Sequence, residues 1–258
     1  MESTVGGGIR YEARDGVGYV TLAAPPLNIL TAAMMNGISG ALRTAHEDPA
    51  LQAVAFRAEG KAFSAGADVG EHSPEQAPTM IASFTRMFQY FRELEIPVAM
   101  AVGGAALGAG FELTMMADIL ISSRTAKFGQ PEIRLGFVPP VGVSRLPSLV
   151  GPAKATEIVC TGRTYSAEEM LACGFVSELV EPEALEETLE ARLDELRRAS
   201  PLIMRMNVRL LKASETCDFE GALHAANRVF LEELMATEDV REGIASFFEK
   251  RPPSWKNR

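Results

Sequence analysis

Apolar positions along the chain change period several times, and each change marks an element. Residues 9–23, IRYEARDGVGYVTLA, hold two β-prone runs around Asp15-Gly16, a favoured two-residue turn, so a β-hairpin is predicted. PPLNIL interrupts the pattern, and Thr31 offers an N-cap hydroxyl for a helix reaching about His46. LQAVAFRAE reads as a buried strand and GKAFSAGADVGEHSPEQAP as a loop. A helix from about Glu75 to Leu94 leads into the apolar strand PVAMAV, which Gly103 and Gly104 close. GAGFELTMMAD reads as a helix entered through a glycine-rich turn, and DILISS as the next strand.

Strands and helices alternating at this spacing imply parallel βαβ units. From about Pro147 the pattern becomes almost entirely helical. Leu185, Leu189, Leu193 and Leu196 mark one apolar stripe, and Val240, Ile244, Phe247 and Phe248 another. The acidic run from Glu181 to Glu195 fits the solvated face of the first of these helices. The fold class is therefore α/β, with a core at 1–195 and a C-terminal helical region at 196–258.

Composition narrows the function classes. The 258 residues are 47% hydrophobic, enough for a substantial core, and the net charge of −9 disfavours non-specific attraction to nucleic acid or an anionic membrane. Cys160, Cys173 and Cys217 are far apart and odd in number, which suggests neither a disulfide framework nor a metal site and fits a reducing cytoplasm. MESTVGGGIRYEARDG lacks the basic and apolar regions of a signal peptide. The uncharged stretch Ile96 to Phe111 is too short and glycine-rich to span a membrane.

Two segments then stand out. AFSAGAD (Ala62 to Asp68) and ALGAGFE (Ala106 to Glu112) each place small residues after a strand and before a carboxylate. Small residues at strand ends admit a ligand to backbone N–H groups, and two such groups aimed at one point form an oxyanion hole. Such turns also serve plain packing. Glu112 is more telling, because burying an unpaired carboxylate among apolar neighbours is costly. Glu132, in FGQPEIRLG, is a second carboxylate in apolar surroundings, with an ion pair to Arg134 or Arg145 as the alternative. Two such groups can hold raised and separated pKa values, one acting as base and the other as acid. Ser64 lacks a nucleophile elbow, GAGFEL lacks the third glycine of a dinucleotide fingerprint, and no phosphate loop is present. His46 and His224 fall within helices as surface residues. His72 lies near the suspected site as a pocket-shaping residue.

Together these segments resemble the crotonase superfamily of enoyl-CoA hydratases and isomerases. The resemblance runs from PPLNIL through AFSAGAD, ALGAGFELTMMADILISS and FGQPEIRLGFVPP to LVGPAKATEIVCTGRTYSAEEMLACGFVSELV and DVREGIASFFEKR. It implies a spiral of ββα units, trimers through the C-terminal helices, often paired into hexamers, and no cofactor beyond the coenzyme A carried by the substrate. Carried over by position, the N–H groups of Ala67 and Ala109 would hold the thioester oxygen. Glu112 would take a proton from water as oxygen adds to the β-carbon, and Glu132 would protonate the α-carbon. Backbone at Leu27, Ala65, Gly66, Ala67 and Asp68 would hold the adenine and pantetheine arm.

Two departures matter. Pro140 stands where these hydratases usually have a glycine whose N–H seats the water. Pro25 replaces a lysine that often touches the CoA phosphates, leaving Lys250 or Arg251 as substitutes. Within the superfamily, GEHSPEQ, GQPEIRLGF and the C-terminal FLEELMATEDVREGIASFFEKRPPSWKNR are most similar to cyclohexa-1,5-diene-1-carbonyl-CoA hydratases of aromatic degradation. The expected function is hydration of an α,β-unsaturated acyl-CoA. The alternatives are double-bond isomerisation, or CoA or RNA binding without catalysis.

Overall fold

The computed structural model describes residues 3–258. The chain opens with β1 (Ser3–Gly6), β2 (Ile9–Arg14), β3 (Val17–Leu22), α1 (Ala32–Glu47), β4 (Ala53–Ala58), β5 (Ala62–Ser64) and α2 (Ala77–Glu93). It continues through β6 (Val98–Val102), β7 (Ala105–Leu107), α3 (Ala109–Thr114), β8 (Ile119–Ser123), β9 (Lys127–Gly129), α4 (Pro140–Val150) and α5 (Pro152–Thr161). Then come β10 (Thr164–Ser166), α6 (Ala167–Ala172), β11 (Glu178–Val180), α7 (Leu185–Arg197), α8 (Pro201–Ser214), α9 (Phe219–Arg228) and α10 (Glu238–Glu249).

Two sheets result, ordered β1-β2-β3-β4-β6-β8-β11 and β10-β9-β7-β5. The first three strands of the large sheet form an antiparallel meander, and pairing is parallel from β3 onward. Asp15 and Gly16 both adopt positive φ, 49° and 74°, as the hairpin turn requires. The chain then repeats one move three times. β4, β6 and β8 enter the large sheet, and their successors β5, β7 and β9 enter the small one as parallel neighbours. This is the spiral of ββα units, and it brings the C-terminal ends of β5, β7 and β9 side by side.

Packing follows from this repeat. The larger core joins α1 and α2 to both sheets through fully buried Met35, Ile38, Phe56, Phe63, Phe91 and Phe111. On the opposite face of the large sheet, Leu189 and Leu193 of α7 cover Val17, Tyr19, Ala55, Ala101 and Ile121. The leucine stripe of the sequence is therefore a sheet-packing stripe. Caps set the helix starts: Thr31 Oγ1 accepts from Met34 N at 3.2 Å, and Ser166 with Glu169 forms a reciprocal capping box on α6.

Several expectations need correction. The loop after residue 60 contains β5, a 3₁₀ turn at Val69–His72, and only then α2, which begins at Ala77 because Pro78 suits a first turn. The helix expected over GAGFELTMMAD is the six-residue α3, which ends at Thr114, and the short β7 precedes its glycine turn. The region after Pro147 is helical as expected apart from β10 and β11, which the pattern did not show. Each of these missed strands has three residues, too few to show a period. Among the described residues, no helix is long and apolar enough to cross a membrane.

Candidate active site

The ends of the three parallel strands of the small sheet build the site. After β5, residues 65–68 are pinned to the PPLNIL segment. Asn28, fully buried with φ of 48°, donates to the carbonyls of Glu59 at 2.8 Å and Ala62 at 2.9 Å and accepts from Ala24 N at 2.9 Å. The Ala65 N–H goes to the Leu27 carbonyl, Gly66 N–H to Ser64 Oγ, and Asp68 N–H to the Leu30 carbonyl. Only the Ala67 N–H of this run has no partner within the described chain, and Ala67 lines the cavity described below. The Leu27 carbonyl and the N–H groups of Ala65, Gly66 and Asp68 are therefore already engaged in holding the loop.

After β7, Gly108 turns at φ +54° and α3 begins, leaving the Ala109 N–H as an unpaired first-turn donor. The positions fix the residue types. A Cβ at Gly108 would lie 2.6 Å from Glu132 Oε1, and one at Gly110 would lie 2.4 Å from the Ser64 carbonyl oxygen. Small residues here let the two loops approach each other, and the carboxyl of Glu132 occupies the space a side chain would fill.

Glu112, on the second half-turn of α3, is 2% exposed. Its Oε1 accepts from Val141 N at 2.7 Å and Gly142 N at 2.9 Å. Pro140 is the first residue of α4, a position that suits proline, and Pro139 before it has no capping side chain. Glu112 thus acts as a cap from a distant element. Burial pushes its pKa up to about 8; the charge of Glu132 adds to this, and the two N–H bonds oppose it.

Glu132 lies in the 3₁₀ turn Pro131–Leu135 that follows β9. Burial raises its pKa as well, with His72 among the influences working against the rise. Its Oε2 is buried and has no hydrogen-bond partner in the protein. The ion pair to Arg134 or Arg145 does not form; Arg145 instead meets Glu215 at 2.9 Å. His72 Nδ1 lies 2.8 Å from the Asp68 carbonyl oxygen, and the ring rests on Phe137 with centroids 4.7 Å apart.

These residues converge on a cavity of about 220 Å³, lined among others by Ala67, Ala109, Glu112, Glu132, His72 and Pro140. Its remaining wall is apolar, from Met80, Ile81 and Phe84 of α2 to Val138 and Pro139. A smaller cavity of about 90 Å³ shares Ala67, His72, Glu132 and Phe137 with it and extends to Val69 and Leu135. Two donors without partners, one buried and one half-buried carboxyl and an apolar chamber can bind a carbonyl compound, stabilise negative charge on its oxygen and exchange protons nearby.

Sequence reasoning missed Gln130, fully buried beside Gly142 with neither amide atom bonded within the protein. Nothing in its local pattern marks it. It also missed Phe137 and the N–H groups of Val141 and Gly142, although Pro140 as a helix-start residue was the available signal. Arg251, considered for the CoA phosphates, is committed to Glu242 and Glu249, each at 2.6 Å. His46 and His224 are exposed helix residues, as expected. Among the described residues there is no cluster of metal-ligating side chains.

Comparison with known proteins gives a consistent picture. The family model described as enoyl-CoA hydratase/isomerase matches residues 12–258. A cyclohexa-1,5-dienecarbonyl-CoA hydratase of Thauera aromatica is 37% identical over 95% of each chain. A probable enoyl-CoA hydratase of Mycobacterium bovis is 38% identical over 97% of this chain and 98% of its own. Among solved structures, an enoyl-CoA hydratase from Bacillus anthracis superposes with a TM-score of 0.93 at 28% identity, covering 97% of this chain and all of that one.

Proposed function

The chain belongs to the enoyl-CoA hydratase/isomerase family, and from that premise we propose that it is a hydro-lyase adding water to an α,β-unsaturated acyl-CoA thioester. One observation carries the reading. The two unspent N–H groups, of Ala67 and Ala109, belong to residues lining the same small cavity as Glu112 and Glu132.

The chemistry follows from that arrangement. The two N–H groups take the thioester oxygen and stabilise the enolate-like charge that develops as the β-carbon is attacked. Glu112 takes a proton from water while the hydroxyl bonds the β-carbon, and Glu132 delivers a proton to the α-carbon. A base with a pKa of about 8 is well matched to neutral conditions, strong enough to deprotonate water in flight and still partly ionised. Pro140 gives no N–H, so the attacking water is seated by the carboxyls rather than by the start of α4. The pantetheine arm leaves along the smaller cavity, past exposed Val69 and Leu135.

The acyl group we favour is a cyclic dienoyl, as in the substrate named for the Thauera relative. A dry cavity of about 150 Å³ holds benzene, so about 220 Å³ accommodates a six-membered ring. The chamber's α2 wall of Met80, Ile81 and Phe84 suits such a ring. Exposed Phe247 and Phe248 on α10, with Phe219 on α9, support assembly of several copies through the C-terminal helices.

The test is a mass-spectrometric assay with crotonyl-CoA and cyclohexa-1,5-diene-1-carbonyl-CoA. Water added to the cyclic diene supports the narrower reading, and water added to crotonyl-CoA alone restricts the chain to straight-chain substrates. A product of unchanged mass with a shifted double bond would replace hydration by isomerisation.

A further inference from the structure

The mechanism above uses two carboxyls, yet the cavity carries a third titratable group, His72. Resting on the hydratase reading, we propose that His72 is a positioning residue that reloads Glu132 with a proton between turnovers, exchanging it with solvent through Nε2. The geometry supplies three parts of the argument. First, a carbonyl oxygen can only accept, so the 2.8 Å contact with Asp68 fixes hydrogen on Nδ1 and leaves Nε2 as the exchanging nitrogen. Second, a tilted ring contact with Phe137 and the 3₁₀ turn at Val69–His72 hold the ring in one place. Third, His72 is only partly buried and lines both cavities that Glu132 lines, so it reaches solvent while facing the same space as that carboxyl.

The other groups around the ring are accounted for. The Asp68 carboxylate takes the Gly70 N–H, and Glu71 takes the Ala32 N–H. α2 faces the chamber with Ala77, Met80, Ile81 and Phe84, none of them charged. Across the cavity stand Glu132, whose Oε2 has no protein partner, and Glu112, whose Oε1 is held by α4.

A reload is needed because of where the proton rests after a turnover. Water has given its proton to Glu112 and its hydroxyl to the β-carbon, and Glu132 has given its own proton to the α-carbon. Glu112 is then neutral and Glu132 ionised. Burial raises both carboxyls, so the Glu132 left ionised is the group that calls for a proton. Imidazolium His72 passes its Nε2 proton to Glu132, solvent recharges Nε2, and Glu112 returns the water-derived proton to solvent as product leaves. No net proton is consumed.

The experiment compares wild type, His72→Phe and His72→Gln on whichever of the two thioesters the wild type hydrates. Phenylalanine keeps a ring on Phe137 but removes both nitrogens, and glutamine keeps polarity without a titrating group. Both variants should lose about 10-fold or more in kcat, less than the 10²–10⁴ typical of a direct acid or base. Because His72 also lines the substrate cavities, KM can shift with its size, but the loss should fall mainly on kcat, and added imidazole should restore part of the rate. Wild-type kcat in both variants with no response to imidazole would overturn the role of His72 alone. If His72→Phe does not fold, His72→Gln carries the same comparison. A wild type that adds water to neither thioester would overturn the hydratase reading itself.

Discussion

At the scale of single residues, Glu112 shows how structure and chemistry pull on one group. Its bonds to Val141 and Gly142 favour the carboxylate, while burial and Glu132 favour the acid, and burial wins. The sign of the consequence is fixed by linkage. A carboxyl whose folded-state pKa lies at about 8, above its ordinary 4.5, leaves stability whole at low pH and erodes it as pH rises through about 8. Glu112→Gln keeps an oxygen for both N–H groups and removes the charge. We expect the unfolding free energy of the wild type to fall between about pH 5 and pH 9 by an amount on the order of a few kcal/mol, with the melting temperature falling alongside it, while the variant stays nearly flat. Parallel curves would contradict the buried charge. The same group predicts that kcat/KM climbs as pH approaches about 8 from below, because the base must be ionised in the free enzyme; a profile flat across that range would remove Glu112 from the role of base. The two glutamates were legible in the sequence because a carboxylate among apolar neighbours is costly. Gln130 was not, because a lone amide in a buried turn leaves no periodic or charge signal.

At the scale of elements, the site is a property of strand ends. β5, β7 and β9 are three residues each and lie as parallel neighbours, so the loops following them meet whatever their own composition. The sequence revealed the loops through their small residues but concealed the strands that aim them, which are too short to show alternation. It revealed Pro140 as an anomaly, whereas the structure shows a helix start whose next two N–H groups hold Glu112. Asn28 plays the corresponding part for the first loop. Asn28→Ala removes three hydrogen bonds beneath the segment that pairs Leu30 with Ala67. Leaving those buried groups unpaired should cost on the order of 3 kcal/mol in denaturant unfolding and lower activity as well. A change below about 0.5 kcal/mol would show that the loop is held by other contacts.

At the scale of the whole molecule, the spiral separates the chamber holding Glu112 and Glu132 from a C-terminal region where Phe219, Phe247 and Phe248 face outward. Phe247 and Phe248 are 79% and 76% exposed on α10. The sequence displayed them as an ordinary amphipathic stripe, since periodicity reports that a face is apolar and not what covers it. If copies of the chain meet there, Phe247→Asp should lower the mass measured by light scattering while far-ultraviolet circular dichroism stays unchanged. An unaltered assembly would place the contact elsewhere.

The central claim is that the carboxyls of Glu112 and Glu132 and two backbone donors add water to an acyl-CoA. It is tested most directly by measuring kcat for water addition in the wild type, Glu112→Gln and Glu132→Gln, with product identified by mass. The account predicts that each variant loses on the order of 10² to 10⁴ in kcat while retaining its fold. Wild-type rates in either variant would contradict it.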